Sequence, residues 1–314
     1  MPCIRPLQGF LNSDTGAFVP SAQYARNFYF GRERADDQVS INCGQCLPCR
    51  VNNARSMAVR CVHEASMYDS NCFLTLTIDD YHMDREGFNF SLDKEVMRNF
   101  MKKLRSRIDY CPSDFGLNKG DKVRVLYCGE YGGRTERPHY HALLFNCGFS
   151  DQILYKKDGS YRYYNSDLLH SIWPYGFGVI SSLDYGSAAY VARYVTKKVT
   201  GPSADEHYGD HLPEFSHGSR KPGLGYSWIM DNWKDVYPRD EVKVLLKDGS
   251  FSLKPPRYYD KKLEEFNPEL FAEVKEARKL AGESSIHTKT KFHLDAYAKD
   301  FRAKFKRFKR SIEV

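Results

Sequence analysis

The 314-residue sequence has no long apolar run and no strong compositional bias. No segment approaches the roughly 18 consecutive apolar residues of a membrane-spanning helix, and residues 1–7 lack the apolar stretch of a signal peptide. Hydrophobic residues make up 41% of the chain and charged residues 28%, which excludes a disordered tail, a collagen-like chain and a coiled-coil rod. We therefore expect about two domains with a substantial core, acting in the cytoplasm that makes the chain.

Two further absences bear on chemistry. The chain has no Gly-x-x-x-x-Gly-Lys-[Ser/Thr] segment, and so lacks the phosphate-binding loop of many ATPases. The nine cysteines are an odd number and no secretory signal accompanies them, so a framework of disulfide bonds is not expected.

Basic and aromatic residues are both frequent. Lys and Arg outnumber Asp and Glu by 47 to 40, a net charge of +7, and aromatic residues make up 14% of the chain. Single-stranded nucleic acid requires this combination, because rings stack on bases and cations contact phosphates. Most individual rings belong to a core, so the composition suits a polyanionic partner without identifying it.

The hydrophobic periodicity predicts an α+β fold with antiparallel neighbouring strands. Strands are predicted at 72–78, 122–131, 139–145 and 179–183, the middle two as a hairpin, with further hairpins at 153–164 and 242–253. Helices are predicted at 54–68, at 92–108 after a cap at Ser91, from 166, at 186–199, from 267 to 282 and from 291. Residues 202–235 are predicted to be loop-like. The last helix is basic, with eight Lys or Arg against three Asp or Glu from residue 291 onward. Two interpretations stay open: the helix binds DNA phosphates, or it presents a charged face to solvent.

The first candidate for chemistry is the pair His139 and His141. Residues two apart on a strand share a face, so the two imidazoles project together. Glu130 lies on the preceding strand, and its carboxylate reaches the same face if the two strands pair. Two imidazoles and a carboxylate with open coordination positions suit Mn²⁺ or Mg²⁺ bound at a phosphate. A His-x-His pair also arises by chance, and that alternative stays open.

The second candidate lies on the predicted helix at 186–199. Tyr190 and Tyr194 are four residues apart and are therefore neighbours on one helix face. Arg193 and Lys197 follow these tyrosines by three residues each, which places a cation one turn from each hydroxyl. The alternative is that both rings are core contacts of an amphipathic helix.

These two candidates complement each other chemically. Tyrosine is a weak nucleophile near neutral pH, because its pKa is about 10, and it needs a Lewis acid on the electrophile and a cation nearby. The combination suits attack on a phosphodiester that leaves the DNA 5′-phosphate on tyrosine and a free 3′-hydroxyl. Such a linkage retains the bond energy, so the strand can be rejoined.

A cluster of cysteines suggests a second metal. Cys43, Cys46 and Cys49 have the tight spacing of thiolate ligands, although Asn53 in the fourth position excludes a bacterial ferredoxin run. No histidine precedes His63, so a fourth ligand has to come from elsewhere, and Cys3 is the candidate. Two interpretations of these cysteines stay open: they bind a structural zinc ion, or they are reduced thiols without a ligand.

With these residues in view, the sequence resembles the HUH endonuclease superfamily of rolling-circle replication initiators, and more closely the initiators of gokushovirus-type microviruses. The resemblance covers about residues 43–225. It is carried by seven segments: CGQCLPCR (43–50), FLTLT (73–77), CGEY (128–131), RPHYH (137–141), WPYG (173–176), AYVARY (189–194) and SRKPGLG (219–225).

The resemblance implies an HUH nuclease fold, in which helices flank a central antiparallel sheet of about five strands. We expect a Cys-rich N-terminal segment at 1–70, the endonuclease core at 71–201 and a basic, helical C-terminal region at 202–314. His139, His141 and Glu130 match the family's metal ligands, and Tyr190 and Tyr194 match its nucleophiles. The resemblance further implies that Lys197 is an assisting base or phosphate contact, and the expected DNA contacts are Arg137, Arg193, Lys198 and Arg220.

The expected substrate is single-stranded origin DNA in the cytoplasm of a bacterial host, with host helicase and DNA polymerase as partners and no membrane. Two rival functions stay open. One is another HUH enzyme, a single-strand transposase or a plasmid relaxase. The other is a non-catalytic, zinc-containing single-stranded DNA-binding protein.

Overall fold

A computed structural model describes residues 3–12, 17–21, 38–85, 90–133, 135–199, 203–237, 239–246, 249–284 and 290–309. The side chains of residues 38, 85, 194–197, 284 and 306–309 lie outside this description. The chain divides into two compact units. The terminal unit comprises Met1–Asn53 and Ala277–Val314, and the central unit comprises Ala54–Glu276.

Strands and helices are mixed along the chain. The strands are β1 (Leu7–Leu11), β2 (Phe18–Pro20), β3 (Gln38–Ile41), β4 (Asn71–Thr77), β5 (Arg124–Tyr131), β6 (Pro138–Phe145), β7 (Ile153–Asp158), β8 (Tyr161–Asn165), β9 (Gly178–Ser182), β10 (Phe215–Gly218), β11 (Val242–Leu246) and β12 (Gly249–Leu253). The helices are α1 (Leu47–Ala65), α2 (Asp80–Arg85), α3 (Lys94–Tyr110), α4 (Asp167–Ile172), α5 (Tyr185–Lys197), α6 (Ala204–Tyr208), α7 (Tyr226–Val236), α8 (Arg257–Phe266), α9 (Pro268–Ser284) and α10 (Lys291–Lys309).

The terminal unit contains a small antiparallel sheet in the order β2-β1-β3. The predicted basic helix is present as α10. Tyr297, Phe301 and Phe305 follow one another at four-residue spacing on it, with ring centroids 5.7 and 6.4 Å apart. This spacing is the helical periodicity from which the element was predicted.

The central unit is built on a seven-stranded sheet in the order β10-β5-β6-β4-β9-β8-β7, and each neighbouring pair is antiparallel. This confirms the predicted α+β class with a large antiparallel sheet flanked by helices. The sheet has more strands than the five or so expected, because the β7–β8 hairpin joins it at one edge and β10 extends the other edge. The predicted division at residues 70 and 201 stays a prediction.

The two faces of this sheet are covered by different helices. Alternate residues of β6 (Tyr140, Ala142 and Leu144) are buried with the apolar stripe of α3 on one face. Leu143 and Phe145 are buried on the other face, with α1 and α5. This alternation was predicted from the period of two along a strand, and it places His139 and His141 on the α5 side.

Helix boundaries differ from the predictions by a few residues. The cap of α3 is Asp93, whose Oδ1 accepts a hydrogen bond from the backbone N–H of Glu95 at 2.8 Å. Ser91, the predicted cap, instead accepts a hydrogen bond from the backbone N–H of Leu212. Ser166 does cap α4, and its hydroxyl accepts from Leu169 N. Carboxylate caps stabilise the helix N-terminus as well as hydroxyls do, so Asp93 takes the position.

The prediction that residues 202–235 are loop-like was wrong. This stretch contains α6, the edge strand β10 and α7. The short β10 pairs with β5 between Phe215 and Gly218, and α7 begins after Gly225, which has a positive φ of 76°. Helix α8 was also not predicted, and α9 continues past Gly282 to Ser284.

A third core lies in the C-terminal half of the central unit. Tyr259 and Leu263 of α8 are fully buried there with Ile229 of α7 and with Val242 and Val244 of β11. The predicted β11–β12 hairpin is present. Within the described residues, none of the helices combines the length and apolar character needed to cross a membrane.

Candidate active site

The β5–β6 hairpin aligns the predicted ligands. Glu130 of β5 lies directly opposite His139 of β6. His141 lies opposite Cys128 of β5 on one side and opposite Thr75 of β4 on the other. Residues opposite each other on paired strands share a face, so the carboxylate and both imidazoles lie on the face covered by α5.

The three side chains converge on one oxygen atom. Glu130 Oε1 lies 2.5 Å from His139 Nε2 and 3.1 Å from His141 Nε2. Glu130 and His141 are 2% and 3% exposed, whereas His139 is partly exposed. The ligand atoms of all three lie within 4.8 Å of one another. The cluster is therefore buried on the sheet side and open at His139.

The hydrogen bond on the far side of the His139 ring indicates which of its two nitrogen atoms carries a proton. His139 Nδ1 is 3.1 Å from the carbonyl oxygen of Arg137. A carbonyl only accepts, so Nδ1 carries the proton and Nε2 presents its lone pair to Glu130 unless the ring is an imidazolium. Two lone pairs at this distance repel each other, and either the proton of an imidazolium or a metal ion bound by both groups removes that repulsion. The donor set therefore fits a metal ion.

The protonation states of the buried pair also fit a metal. Burial raises the pKa of Glu130, but the contacts with His139 and His141 outweigh it and lower that pKa to about 2. Burial lowers the pKa of His141 and outweighs the opposing contact with Glu130. An ionised carboxylate and a neutral imidazole are the forms that bind a divalent cation.

Helix α5 brings a tyrosine to this cluster. A capping box at Asp184 and Ser187 fixes the start of the helix, and Ala188, Val191 and Ala192 bury its inner face. Tyr190 is thereby placed over the sheet, and its hydroxyl donates to Glu130 Oε1 at 3.3 Å. The structure thus brings the Tyr190 hydroxyl to the histidine cluster.

Aromatic contacts hold the Tyr190 ring in place. It meets the His141 ring edge-on at a centroid distance of 5.1 Å and the Phe73 ring at 6.3 Å. Phe73 in turn stacks on His141 at 5.4 Å. Edge-to-face pairs of this kind add about 0.5–1.5 kcal/mol each, so the phenol is restrained relative to the carboxylate.

The remaining sequence-predicted residues differ in what the structure describes. Tyr194 and Lys197 lie on α5, but their side chains are outside the described part. Arg193 and Lys198 are partly exposed and Arg220 is exposed. Arg137 forms an ion pair with Asp80 and donates to the carbonyl of Ile78 at 2.8 Å. Its guanidinium therefore ties the start of β6 to the end of β4.

One supporting residue was not predicted. The hydroxyl of Thr75 lies 3.2 Å from His141 Nδ1 and fixes the orientation of that ring. Thr75 belongs to the FLTLT segment, one of the seven that carry the resemblance to HUH endonucleases. The signal available in the sequence was the polar hydroxyl at alternate positions of an otherwise apolar strand.

The cysteine cluster forms a second candidate metal site, within the terminal unit. The Sγ atom of Cys3 lies 3.5 Å from that of Cys43 and 3.7 Å from that of Cys46, and all four thiols, including Cys49, lie within 4.8 Å of one another. Tetrahedral zinc with bonds of about 2.3 Å separates its sulfur ligands by about 3.8 Å. The geometry therefore fits zinc, with Cys3 as the fourth ligand.

Burial raises the pKa of the Cys3 and Cys49 thiols, whereas backbone hydrogen bonds favour the thiolate at Cys43. The backbone N–H of Cys46 donates to Cys43 Sγ at 3.3 Å. Burial raises the pKa of the Cys43 thiol, but hydrogen bonds from Cys46 and Gln45 outweigh it and lower that pKa to about 7. Thiolate is the form that binds metal.

Comparison with known proteins identifies the family. Residues 71–199 match the sequence model of the family described as replication-associated protein ORF2/G2P, a span that contains β4 to α5 and hence the whole histidine cluster. The chain is 32% identical to replication-associated protein VP4 of Bdellovibrio phage phiMH2K over 302 residues, which cover 95% of this chain and 89% of the relative.

Two further relatives agree. Replication-associated protein ORF2 of Spiroplasma virus 4 is 28% identical over 91% of this chain and 88% of its own length. Replication-associated protein ORF4 of Chlamydia phage 1 is 32% identical over 67% of this chain and 55% of its own length. No solved structure matches. The chain belongs to the family of replication-associated proteins of Microviridae-type phages.

Proposed function

We propose that this protein initiates rolling-circle replication of a phage genome by nicking and rejoining single-stranded origin DNA. The reaction is metal-dependent and passes through a 5′-phosphotyrosine, as in HUH endonucleases. One observation carries the proposal: the Tyr190 hydroxyl and both imidazoles contact the same carboxylate oxygen of Glu130. The membership in a family of phage replication-associated proteins supports the substrate class.

Glu130, His139 and His141 would hold Mn²⁺ or Mg²⁺, the cations that suit a mixed nitrogen and oxygen site at a phosphate. Such an ion supplies Lewis acidity and a fixed position for the phosphate oxygens. The chain's own residues orient the reactants. Thr75 and the Arg137 carbonyl set the two rings, and α5 sets the phenol.

In the proposed step, the Tyr190 oxygen forms a bond to phosphorus while the bond from phosphorus to the 3′-oxygen breaks. The phenol proton passes to a base, for which Lys197 is the candidate, and the 3′-oxygen takes up a proton to become a 3′-hydroxyl. The 5′-phosphate stays on tyrosine. Attack by a 3′-hydroxyl reverses the step and releases a joined strand.

A second tyrosine would allow a second transfer while the first DNA end is held. Tyr194, one turn along α5, is the candidate, with Lys197 as the base or phosphate contact. The Tyr190 hydroxyl contacts Glu130 Oε1, so we assign one of the two transfers to Tyr190. Arg137, Arg193, Lys198 and Arg220 are proposed as DNA contacts, and host helicase and polymerase as partners, because the sequence lacks an ATPase loop.

We also propose that Cys3, Cys43, Cys46 and Cys49 hold a structural Zn²⁺ ion. The support is the match between the sulfur separations of 3.5 and 3.7 Å and tetrahedral geometry. A closed set of four thiolates leaves no position for substrate, so the ion would stabilise the terminal unit and take no part in the nicking chemistry.

The test is covalent capture. Full-length protein is incubated with a pool of random-sequence single-stranded 40-mers and Mn²⁺, and adducts that survive denaturation are mapped by peptide mass spectrometry. We expect nucleotide on the peptide that contains Tyr190, lost in Tyr190→Phe. Tyr155→Phe is the matched control, because Tyr155 is an exposed tyrosine of β7. Binding without any adduct in the wild type would favour the non-catalytic DNA-binding protein.

A further inference from the structure

A groove lies along α3, on the sheet face opposite the histidine cluster. It has a volume of about 850 Å³. Its α3 wall is formed by residues that repeat every three or four positions, and so by one stripe of the helix: Asn99, Lys102, Lys103, Ser106, Arg107 and Tyr110. The end of α4 and the turn after it form the other wall, which includes Tyr175.

The groove is strongly basic. None of the residues that line it in the described part of the chain is acidic. Lys102 and Lys103 are exposed, and neither forms an ion pair with a described residue. Arg107 lies 3.7 Å from Asp114 at the far end, so its charge is partly balanced. The positive potential therefore centres on the two lysines.

Aromatic rings accompany these cations. Tyr110 is 80% exposed at one end of the stripe, although an exposed tyrosine ring leaves apolar surface in water. Lys103 Nζ lies 5.7 Å from the centre of the Tyr175 ring in the opposite wall. Cations for phosphates beside rings for unpaired bases are the features that bind single-stranded nucleic acid. A duplex would keep its bases stacked away from these rings.

The groove ends near the candidate active site. The backbone carbonyl of Tyr175 accepts a hydrogen bond from Asp79 N at 2.9 Å, just beyond the end of β4. Thr77, the last residue of β4, lies opposite His139. Tyr175 therefore lies at the end of the sheet where His139 lies, and a strand in the groove reaches that end.

We infer that the groove along α3 is a second binding site, for the backbone and bases of single-stranded DNA that flanks the segment being cut. The inference rests on the proposed function for the identity of the nucleic acid. It assigns a function to Lys102, Lys103 and Tyr110, which the nicking reaction does not use.

The test measures binding separately from cleavage. All proteins carry Tyr190→Phe and Tyr194→Phe, so that no covalent adduct forms, and bind a fluorescent single-stranded 30-mer without added divalent metal. Lys102→Glu/Lys103→Glu is compared with Arg98→Glu/Arg105→Glu, which makes the same charge change on the same helix outside the groove. We expect the groove variant to lose at least about tenfold in DNA affinity. The slope of log affinity against log salt concentration should become shallower by about 1.4, since each of the two lost phosphate contacts contributes about 0.7.

The control variant is expected to lose less than about threefold, because screened cations outside the contact contribute little. Tyr110→Ser is expected to lower DNA affinity by at least about fivefold, because it removes a ring on which a base stacks. Tyr155→Ser is expected to leave DNA affinity unchanged. Equal losses in both charge variants, no loss in either, or an equal effect on a duplex 30-mer would overturn the inference. Failure of the nicking proposal would appear separately, as an absent adduct in protein with Tyr190 intact.

Discussion

The Tyr190 hydroxyl donates to Glu130 Oε1 at 3.3 Å, although the two residues belong to different elements. Glu130 is held by the β5–β6 hairpin, and Tyr190 is held by α5 through a separate packing layer. The same oxygen faces His139 and His141. In the proposed reaction the nucleophile and the metal site share this oxygen, so we expect changes in the packing of α5 on the sheet to disturb the chemistry.

The first prediction concerns this shared oxygen. Glu130→Gln keeps the shape of the side chain but removes the charge that a divalent cation requires. We expect Mn²⁺ affinity to fall by at least about 100-fold, the upper end of what loss of a supporting residue costs, and covalent adduct formation to fall with it. Calorimetric titration with Mn²⁺ measures the first effect. Glu269→Gln, an exposed position of α9, is the control, and unchanged Mn²⁺ affinity in Glu130→Gln would contradict the assignment.

The second prediction concerns Thr75, which supports His141 from behind. Thr75→Val removes the hydroxyl 3.2 Å from Nδ1 with little change in volume. Loss of such an outer partner typically costs about 10–100-fold in metal affinity, and we expect a loss in that range. Thr77→Val makes the same substitution two residues along the same face, where the hydroxyl bonds the carbonyl of Phe177 instead. Equal losses of Mn²⁺ affinity in the two variants would show that Thr75 has no specific role.

The third prediction concerns the cysteine cluster. Protein purified under reducing conditions is expected to contain one zinc ion per chain by elemental analysis. Cys3→Ser is expected to lower zinc affinity by more than about 100-fold and to lower the thermal unfolding temperature, because binding of a structural zinc contributes directly to folding. Cys111→Ser changes a partly exposed cysteine outside the cluster and is the control. Reduced protein free of zinc, with thermal unfolding unaffected by a chelator, would contradict the proposal.

Local patterns predicted the part of the site that depends on a short connection. The alternation along β6 and the short link from β5 place His139, His141 and Glu130 on one face, because a hairpin leaves few registers open. The contact of Thr75 with His141 depends on pairing across 66 residues, which no local pattern specifies. Residues 202–235 were misjudged for a similar reason. Strand β10 is four residues long, polar at its centre, and forms only because β5 offers a free edge.

The last prediction concerns the pH dependence of stability. His63 of α1 is buried against the rings of Trp228 and Tyr259. Its ring centroid lies 3.5 Å from that of Trp228, and its Nδ1 lies 2.9 Å from the Tyr259 hydroxyl. Burial lowers the pKa of His63 from 6.5 to about 4. Between these values the unfolded chain binds a proton that the folded protein does not, so the free energy of unfolding falls as the pH falls through this window.

Each pKa unit corresponds to about 1.4 kcal/mol, so His63 is expected to account for about 2 to 3 kcal/mol of lost stability between pH 7.5 and pH 4.5. Urea unfolding of the wild type and of His63→Gln at both pH values measures this. The variant is less stable at pH 7.5, because it loses the stacked ring, but it should lose about 2 to 3 kcal/mol less than the wild type on acidification. Other groups titrate in both proteins and cancel in the comparison. An equal loss in the two proteins would show that His63 does not stay neutral in the folded state.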